Sequence, residues 1–364
     1  MSRKWYLVFG LVLLSLLMVP RTFAADLTGL CGYNRGFIIQ SEDGLWQLKI
    51  TGYLRPVFTY RSWEVDTASG TDDDSESWFR MVNTYVLFAG QLGSKNVKYG
   101  FGYDFTREPN LLDAYIDLIA APEFGVRLGQ AYTFFSRSDS TSTSLLQFVS
   151  RDIATSMFNP SRDLGIMPHG TFMDGKVEYQ VGLYNGGGVN TTSNADDKFL
   201  FVGRLAYMPF GAMALGEGAV KPFEHTLMTV GAKMMSNRMN YNADTDTYTD
   251  RADFGLEFAL GWQSLFAQAE FFVGTDEPKA GEDTDRTGFY AQAGYFVTPK
   301  LEVAARFASI SLDYGDSTVD TTQATGGIGY YWDGHFRKFQ INGTMTDTDN
   351  AEETKIEMLY QIRF

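Results

Sequence analysis

Apolar and polar residues alternate with a period of two along most of this 364-residue chain. The clearest alternating segments cover residues 46–61, 97–105, 253–262 and 301–307, where one parity is apolar or aromatic and the other is small or polar. Period 2 is the repeat of a β-strand whose two faces meet different surroundings. We therefore expect strands with one face in lipid and one face in a water-filled lumen.

A helical membrane protein is a poor match to the same sequence. The apolar fraction is high, at 44%, yet the mean hydropathy is −0.18 because the apolar residues are dispersed. A helix that crosses a bilayer needs about 20 nearly continuous apolar residues. After residue 24, Gly, Asn, Gln or a charged residue interrupts every apolar stretch.

Sixteen segments have strand character, and an even number lets a closed antiparallel barrel end beside its first strand. They lie near residues 46–61, 78–92, 97–105, 111–118, 124–132, 164–173, 176–184, 199–208, 226–236, 251–262, 265–273, 286–297, 300–312, 322–332, 335–345 and 355–364. The expected fold class is all-β, a closed antiparallel transmembrane β-barrel of about sixteen strands.

The links between these segments alternate in length, as expected for short periplasmic turns and long external loops. Short links cover residues 93–96, 174–175, 263–264, 298–299 and 333–334, and long links cover 62–77, 133–163, 185–198, 237–250, 274–285 and 313–321. Two links break the alternation. Residues 106–109 form a short external loop, and residues 209–224 form a long internal link that nothing in the sequence explains.

The chain begins with the pattern of a secretory signal. Arg3 and Lys4 supply positive charge, residues 7–19 are apolar, and Ala24 ends a small-x-small cleavage site. We expect residues 1–24 to be a cleaved signal peptide, residues 25–45 an N-terminal periplasmic segment, and residues 46–364 the barrel. The expected location is the outer membrane of a Gram-negative (diderm) bacterium.

The last strand, residues 355–364, carries an aromatic residue at its end. Tyr360, Ile362 and Phe364 share the lipid-facing parity and form the expected C-terminal assembly signal for the barrel-assembly machinery. Leu359 is the one apolar residue on the wet parity of this strand.

Six stretches in order along the chain resemble the phosphate-selective porin O and P family. They are Gly32–Gly44, Leu48–Leu54, Leu112–Asp117, Val126–Gln130, Pro160–Met167 and Val181–Gly187. The resemblance implies a sixteen-stranded, usually trimeric outer-membrane pore for small ions and solutes. It also implies that the third external loop, Thr133 to Asp163, folds inward and narrows the channel.

A loop inside a pore brings its charges close to permeating ions. The charges of this loop come in neighbouring couples, namely Arg137 with Asp139, Arg151 with Asp152, and Arg162 with Asp163. Two interpretations remain open: the arginines contact anions at the constriction, or the neighbouring aspartates neutralise them and the couples only hold the loop to the wall.

Basic and acidic residues on the inferred lumenal parity are nearly matched in number, which argues against strong phosphate selectivity. The basic wall candidates are Lys49, Arg55, Arg61, Lys98, Arg127, Arg204, Arg306 and Lys338. The net charge of −14 lies partly in external loops such as residues 72–74. Those acids are expected to be solvated or, alternatively, to hold divalent cations against lipopolysaccharide.

Enzymatic and metal-binding functions have little support in the sequence. His169, His225 and His335 are far apart, and no Gly-x-Ser-x-Gly or Walker motif is present. We expect no cofactor and no metal, and the acidic balance disfavours nucleic acid. Cys31, the single cysteine, has no assigned role.

Three functions follow as hypotheses. The first is a porin for passive diffusion of small hydrophilic solutes, with some anion preference. The second is a true phosphate or polyphosphate channel, whose chloride current phosphate would block at low concentration. The third is a structural sleeve for a partner such as an electron-transfer protein, which requires a wide lumen with the loop at residues 133–163 outside it.

Overall fold

The computed structural model describes residues 30–67, 70–108, 110–242 and 244–364. The expected signal peptide lies outside these residues. Eighteen strands are present in the described chain. They are β1 (Leu30–Tyr33), β2 (Phe37–Gln40), β3 (Gln47–Thr67), β4 (Gly70–Gln91), β5 (Val97–Asp104), β6 (Leu111–Ala121), β7 (Phe124–Tyr132), β8 (Arg162–Phe172), β9 (Val177–Tyr184), β10 (Leu200–Tyr207), β11 (Phe223–Asn242), β12 (Thr247–Gln263), β13 (Leu265–Pro278), β14 (Thr284–Thr298), β15 (Leu301–Asp313), β16 (Thr318–Tyr331), β17 (Arg337–Thr348) and β18 (Ala351–Arg363).

Strands β3 to β18 form one closed barrel. Each pairs antiparallel with its neighbours in sequence, and β18 pairs with β3 over eleven Cα partners such as Glu357 with Thr59. The prediction of a closed, sixteen-stranded antiparallel barrel is confirmed. Closure leaves no free strand edge within the barrel wall.

A short hairpin precedes the barrel. Strand β1 pairs with β2, and β2 pairs with residues 47–50 at the start of β3. This position is directly beyond the end of β18, where Gly52 and Phe364 exchange two backbone hydrogen bonds of 2.9 and 3.0 Å. The hairpin therefore continues the sheet at the barrel rim, in a segment for which the sequence predicted no strands.

We call the rim that carries the links between β4 and β5, β12 and β13, and β14 and β15 the turn end, and the opposite rim the loop end. Several strands extend further at the loop end than the sequence predicted. The expected loop at residues 62–77, for example, is largely paired strand, since β3 and β4 remain in register up to Thr67 and Gly70. The same correction applies to residues 237–250, 274–285 and 313–321. Alternation ends where both strand faces are in water, although backbone pairing continues.

Side chains alternate between the two faces as the sequence parity required. Leu54, Tyr60 and Phe101 are exposed on the outer face, whereas Arg55 and Asp104 are buried inside the barrel. None of the helices in the described ranges is long and apolar enough to cross a membrane.

Candidate pore and constriction

The link between β7 and β8 folds into the barrel. This constriction loop, residues 133–161, contains helices α1 (Arg137–Ser140) and α2 (Ile153–Phe158), and most of its side chains are buried. Ser136 caps α1 and Asp152 caps α2, the latter by accepting the Thr155 amide at 2.7 Å. The inward loop implied by the family resemblance is therefore present, although Arg162 and Asp163 belong to β8.

One buried carboxylate on β13 fixes the first part of the loop. Glu270 accepts hydrogen bonds from the Ser136 hydroxyl at 2.9 Å and from the amides of Arg137 and Ser138 at 2.9 and 3.0 Å. It also accepts from Tyr290 and forms an ion pair with Lys233. This wall residue thus has a structural task, which is to hold α1.

Basic wall residues hold the middle of the loop through its carbonyl groups. Arg55 donates to the Val149 carbonyl at 2.9 Å, Arg306 to the Ser150 carbonyl at 2.9 Å, and Lys338 to the Leu146 carbonyl at 2.7 Å. Three of the predicted wall cations are consequently buried under the loop and do not face a water-filled path.

Apolar contacts complete the seat of the loop. Phe158 stacks on Phe272 of β13 with ring centroids 5.0 Å apart. Leu359, the apolar residue on the wet parity of the last strand, packs with Val57 and Val149. Most of these contacts come from β9–β18, and we call the side of the lumen formed by these strands the packed half.

A second segment enters the packed half from the turn end. This inner segment, residues 208–222 between β10 and β11, places Met213 and Ala219 against Phe266, Phe296 and Tyr331 of the wall. It is the long internal link that the sequence left unexplained. Aromatic residues on the lumenal parity of β13, β14 and β16 were the signal that could have predicted it.

The other side of the lumen, formed by β3–β8, contains a cavity of about 400 Å³ between the wall and the constriction loop. We call it the open half. The wall contributes Tyr53, Asn83, Leu112 and Tyr132, and the charged residues of the lining are Arg107, Asp139, Arg151 and Arg162. Arg107 was not among the sequence candidates, because it lies in the short link after β5.

The arginines of this cavity do not pair with their neighbours in sequence. Arg151 lies 3.9 Å from Asp139 and donates to three loop carbonyls. Arg162 pairs with Asp113 at 3.1 Å, and its guanidinium lies 3.7 Å from the centre of the Tyr132 ring. The interpretation in which adjacent aspartates neutralise the arginines is therefore wrong in its pairing.

The remaining members of the three couples have structural partners. Asp152 caps α2, and Asp163 accepts from the amides of Gly186 and Gly188 at 2.9 and 3.1 Å. Arg137 donates to the Ala214 carbonyl of the inner segment at 3.2 Å. These three residues thus stabilise loops and do not line the cavity.

The other wall cations divide between the two halves. In the packed half, Arg204 is buried in ion pairs with Glu257 and Glu178. In the open half, Lys49, Arg61 and Arg127 are partly exposed and Lys98 is exposed. The acids beside them are more deeply placed: Asp104, Asp113 and Asp117 are all buried.

Asp117 illustrates this arrangement in the open half. It accepts from Arg127 and His169, both at 2.7 Å, and so lies behind the two basic groups. Within the described ranges, no group of three or more His, Cys, Asp or Glu residues is arranged to hold a metal ion.

Comparisons with known proteins agree with this architecture. The anion-selective porin from Comamonas acidovorans superposes with a TM-score of 0.61 at 13% identity, covering 87% of this chain and 99% of that chain. The outer membrane channel DcaP of Acinetobacter baumannii gives 0.61 at 13%, covering 92% and 100%. The trimer form of OmpT, an outer membrane protein of Vibrio cholerae, gives 0.60 at 9%, covering 86% and 98%. These similarities show the fold alone.

The sequence itself identifies the family. No curated protein matches it significantly, but residues 64–362 match the family described as phosphate-selective porin O and P. The chain therefore belongs to this family and is an outer-membrane porin of a Gram-negative bacterium, a channel and not an enzyme.

Proposed function

We propose that small hydrophilic solutes diffuse through the open half and that anions are preferred over cations. The observation that carries this proposal is the charge of the cavity lining, where Arg107, Arg151 and Arg162 accompany a single carboxylate, Asp139. The nearby wall acids are buried, while the wall cations Lys49 and Arg127 are partly exposed and Lys98 is exposed.

The physical basis is the field at a narrow passage. Rings or clusters of like charge select ions because a permeating ion passes within a few ångströms of them. Buried acids that accept hydrogen bonds from the arginines reduce the positive field without removing it. We expect a moderate anion preference for this reason, not a strict one.

The residues proposed as anion contacts are Arg107, Arg151 and Arg162, with Lys49, Lys98 and Arg127 extending the positive surface along the open half. Arg55, Arg306 and Lys338 are proposed as loop anchors, and Arg61 remains a candidate at the loop end, where it pairs with Glu76. The sleeve hypothesis loses support because the constriction loop lies within the lumen.

The test is single-channel recording in planar bilayers under a potassium chloride gradient. The reversal potential should indicate chloride preference, and Arg107→Glu should reduce it because Arg107 is exposed at the cavity. Lys300→Glu is the control, since it makes the same charge change in an exposed turn at the other end of the barrel. A cation-preferring unaltered channel, or equal effects of both variants, would contradict the proposal.

Two further measurements refine the solute class. Because the Debye length falls from about 10 Å at 0.1 M salt to about 3 Å at 1 M, the preference should weaken at high salt. Block of the chloride current by low phosphate would support the phosphate channel, whereas unaltered current would support general diffusion.

Assembly is also part of the proposal. OmpT of Vibrio cholerae, whose fold is similar, has a trimer form, and we expect this chain to form a homotrimer. We further propose lipopolysaccharide contacts, recognition of Tyr360, Ile362 and Phe364 by the barrel-assembly machinery, and cleavage of residues 1–24. Cross-linking of the purified protein, with three-chain products expected, tests the first of these.

A further inference from the structure

The inner segment, residues 208–222, differs from other links at the turn end. The links between β12 and β13 and between β14 and β15 span one and two residues, whereas this segment enters the lumen. Met213 and Ala219 bury against the wall aromatic residues Phe266 and Phe296. This apolar packing sets the position of the segment inside the packed half.

The tip of the segment presents one buried carboxylate to the constriction loop. Glu217 is only 2% exposed. Its carboxylate accepts from the Gln147 amide at 2.8 Å and from the side chains of Gln268 and Gln292 at 2.8 and 2.9 Å. All three donors are uncharged amides. The carboxylate is therefore stabilised by hydrogen bonds that depend on the position of each donor.

Backbone contacts join the two inward elements as well. The Glu217 amide donates to the Leu145 carbonyl at 3.0 Å, and the Glu217 carbonyl lies 2.8 Å from His335 Nε2 in the link between β16 and β17. Gly218 follows with a φ of +77°, and an added Cβ would lie 3.0 Å from a carboxylate oxygen of Glu302. The positive φ favours glycine at this position.

These contacts lie one residue away from a part of the constriction loop that lines the cavity. Leu145 and Gln147 flank Leu146, and both Leu146 and Thr143 line the cavity of the open half. A shift of the loop at residues 145–147 would therefore change the width of the cavity directly.

We propose that the inner segment is a second element of the constriction and that Glu217 is its positioning residue. The segment supports the middle of the constriction loop from the turn end and closes the packed half, so that current passes through the open half alone. A residue distant from the loop in sequence then controls the width of the pore.

The first test compares Glu217→Ala with Glu224→Ala in single-channel recordings. Glu224 is the matched control, because it is an exposed glutamate just after the same segment. In the Glu217 variant we expect larger open-channel current noise and a conductance raised by about twofold or more, since a sixteen-stranded barrel without inward elements encloses a wide aqueous channel. The control should match the unaltered channel.

Glu217→Gln separates positioning from general stability. It keeps the size of the side chain, yet its amide group must face one of the three donors, so noise should again exceed that of the control. The Glu217→Gln variant also provides the test if Glu217→Ala does not fold. Unchanged noise and conductance in the folded Glu217 variants would overturn the proposal, even if their thermal unfolding temperature falls. Conductance and noise test the role of the inner segment, whereas the reversal potential of the unaltered channel tests the anion preference. One proposal can therefore fail without the other.

Discussion

The packed half and the open half of the lumen are both rich in charged side chains, and they use them for different purposes. In the packed half, Glu270 and Lys338 bind the backbone of the constriction loop and are withdrawn from water. In the open half, Arg107 and Arg151 line a cavity and their positive charge is only partly compensated. Equal numbers of acids and bases on a barrel wall therefore do not imply a neutral pore.

This difference offers a physical reason for the many charges on the wall. A loop inside a barrel has backbone amides and carbonyls that need partners away from water. Charged wall side chains form strong hydrogen bonds with these groups. Charge on the lumenal face is thus divided between residues that hold the loop and residues that line the cavity.

The largest effect is expected from releasing the loop in the packed half. Glu270→Ala removes the acceptor of α1 and leaves Lys233 buried without its ion-pair partner, and breaking a buried pair costs about 3–5 kcal/mol. We expect conductance to rise and the difference between the halves to disappear. Single-channel conductance measures this, with Glu277→Ala as an exposed control on the same strand. An unaltered conductance would show that other contacts suffice.

A smaller effect is expected from removing charge in the open half. A unit charge at about 4 Å contributes about 1 kcal/mol even in bulk water, which corresponds to about a fivefold change in local anion concentration. Arg151→Met should therefore shift the reversal potential toward zero. Arg151→Lys retains the charge but loses the donor fork, and it should preserve the preference while increasing current noise.

The same neutralisation in the packed half should alter selectivity less. Lys338→Met leaves the Leu146 carbonyl without its donor, at a cost of about 1–3 kcal/mol. We expect lower thermal stability in detergent and a reversal potential close to that of the unaltered channel. A shift as large as that of Arg151→Met would mean that the two halves do not differ electrically.

The smallest functional effect is expected at the apolar seat of the loop. Leu359→Ala opens a cavity beside Val57 and Val149 and should destabilise this contact by about 2–5 kcal/mol. Ile356→Ala, on the outer face of the same strand and outside the proposed assembly signal, is the matched control. Thermal unfolding should distinguish the two variants, while the reversal potential should change in neither.

Much of the barrel could be predicted from local pattern. The lipid face requires apolar residues at every second position, so strand number and parity follow from sequence. The predicted end of one strand at residue 61 was too early and the predicted start of the next at residue 78 was too late, because the pattern disappears outside the apolar layer while backbone pairing continues. The inward path of the inner segment was not predicted, because its apolar residues pack against wall residues that lie far along the chain.

The candidate site was predictable only in part. Arg151 of the loop and Arg162 at the start of β8 could be found from the sequence, but their partners, Asp139 and Asp113, could not, since adjacent aspartates offered a simpler pairing. Arg107 and Glu217 lie in links whose path through space has no local signal.

By itself, the sequence determined that this chain forms a sixteen-stranded barrel, which face of each strand meets lipid, and which family it belongs to. These properties depend on residue type at regular spacing. The tertiary structure alone decided which lumenal charges reach water. That outcome depends on where two long links fold, and therefore on contacts such as Glu217 with Gln147, between residues 70 positions apart.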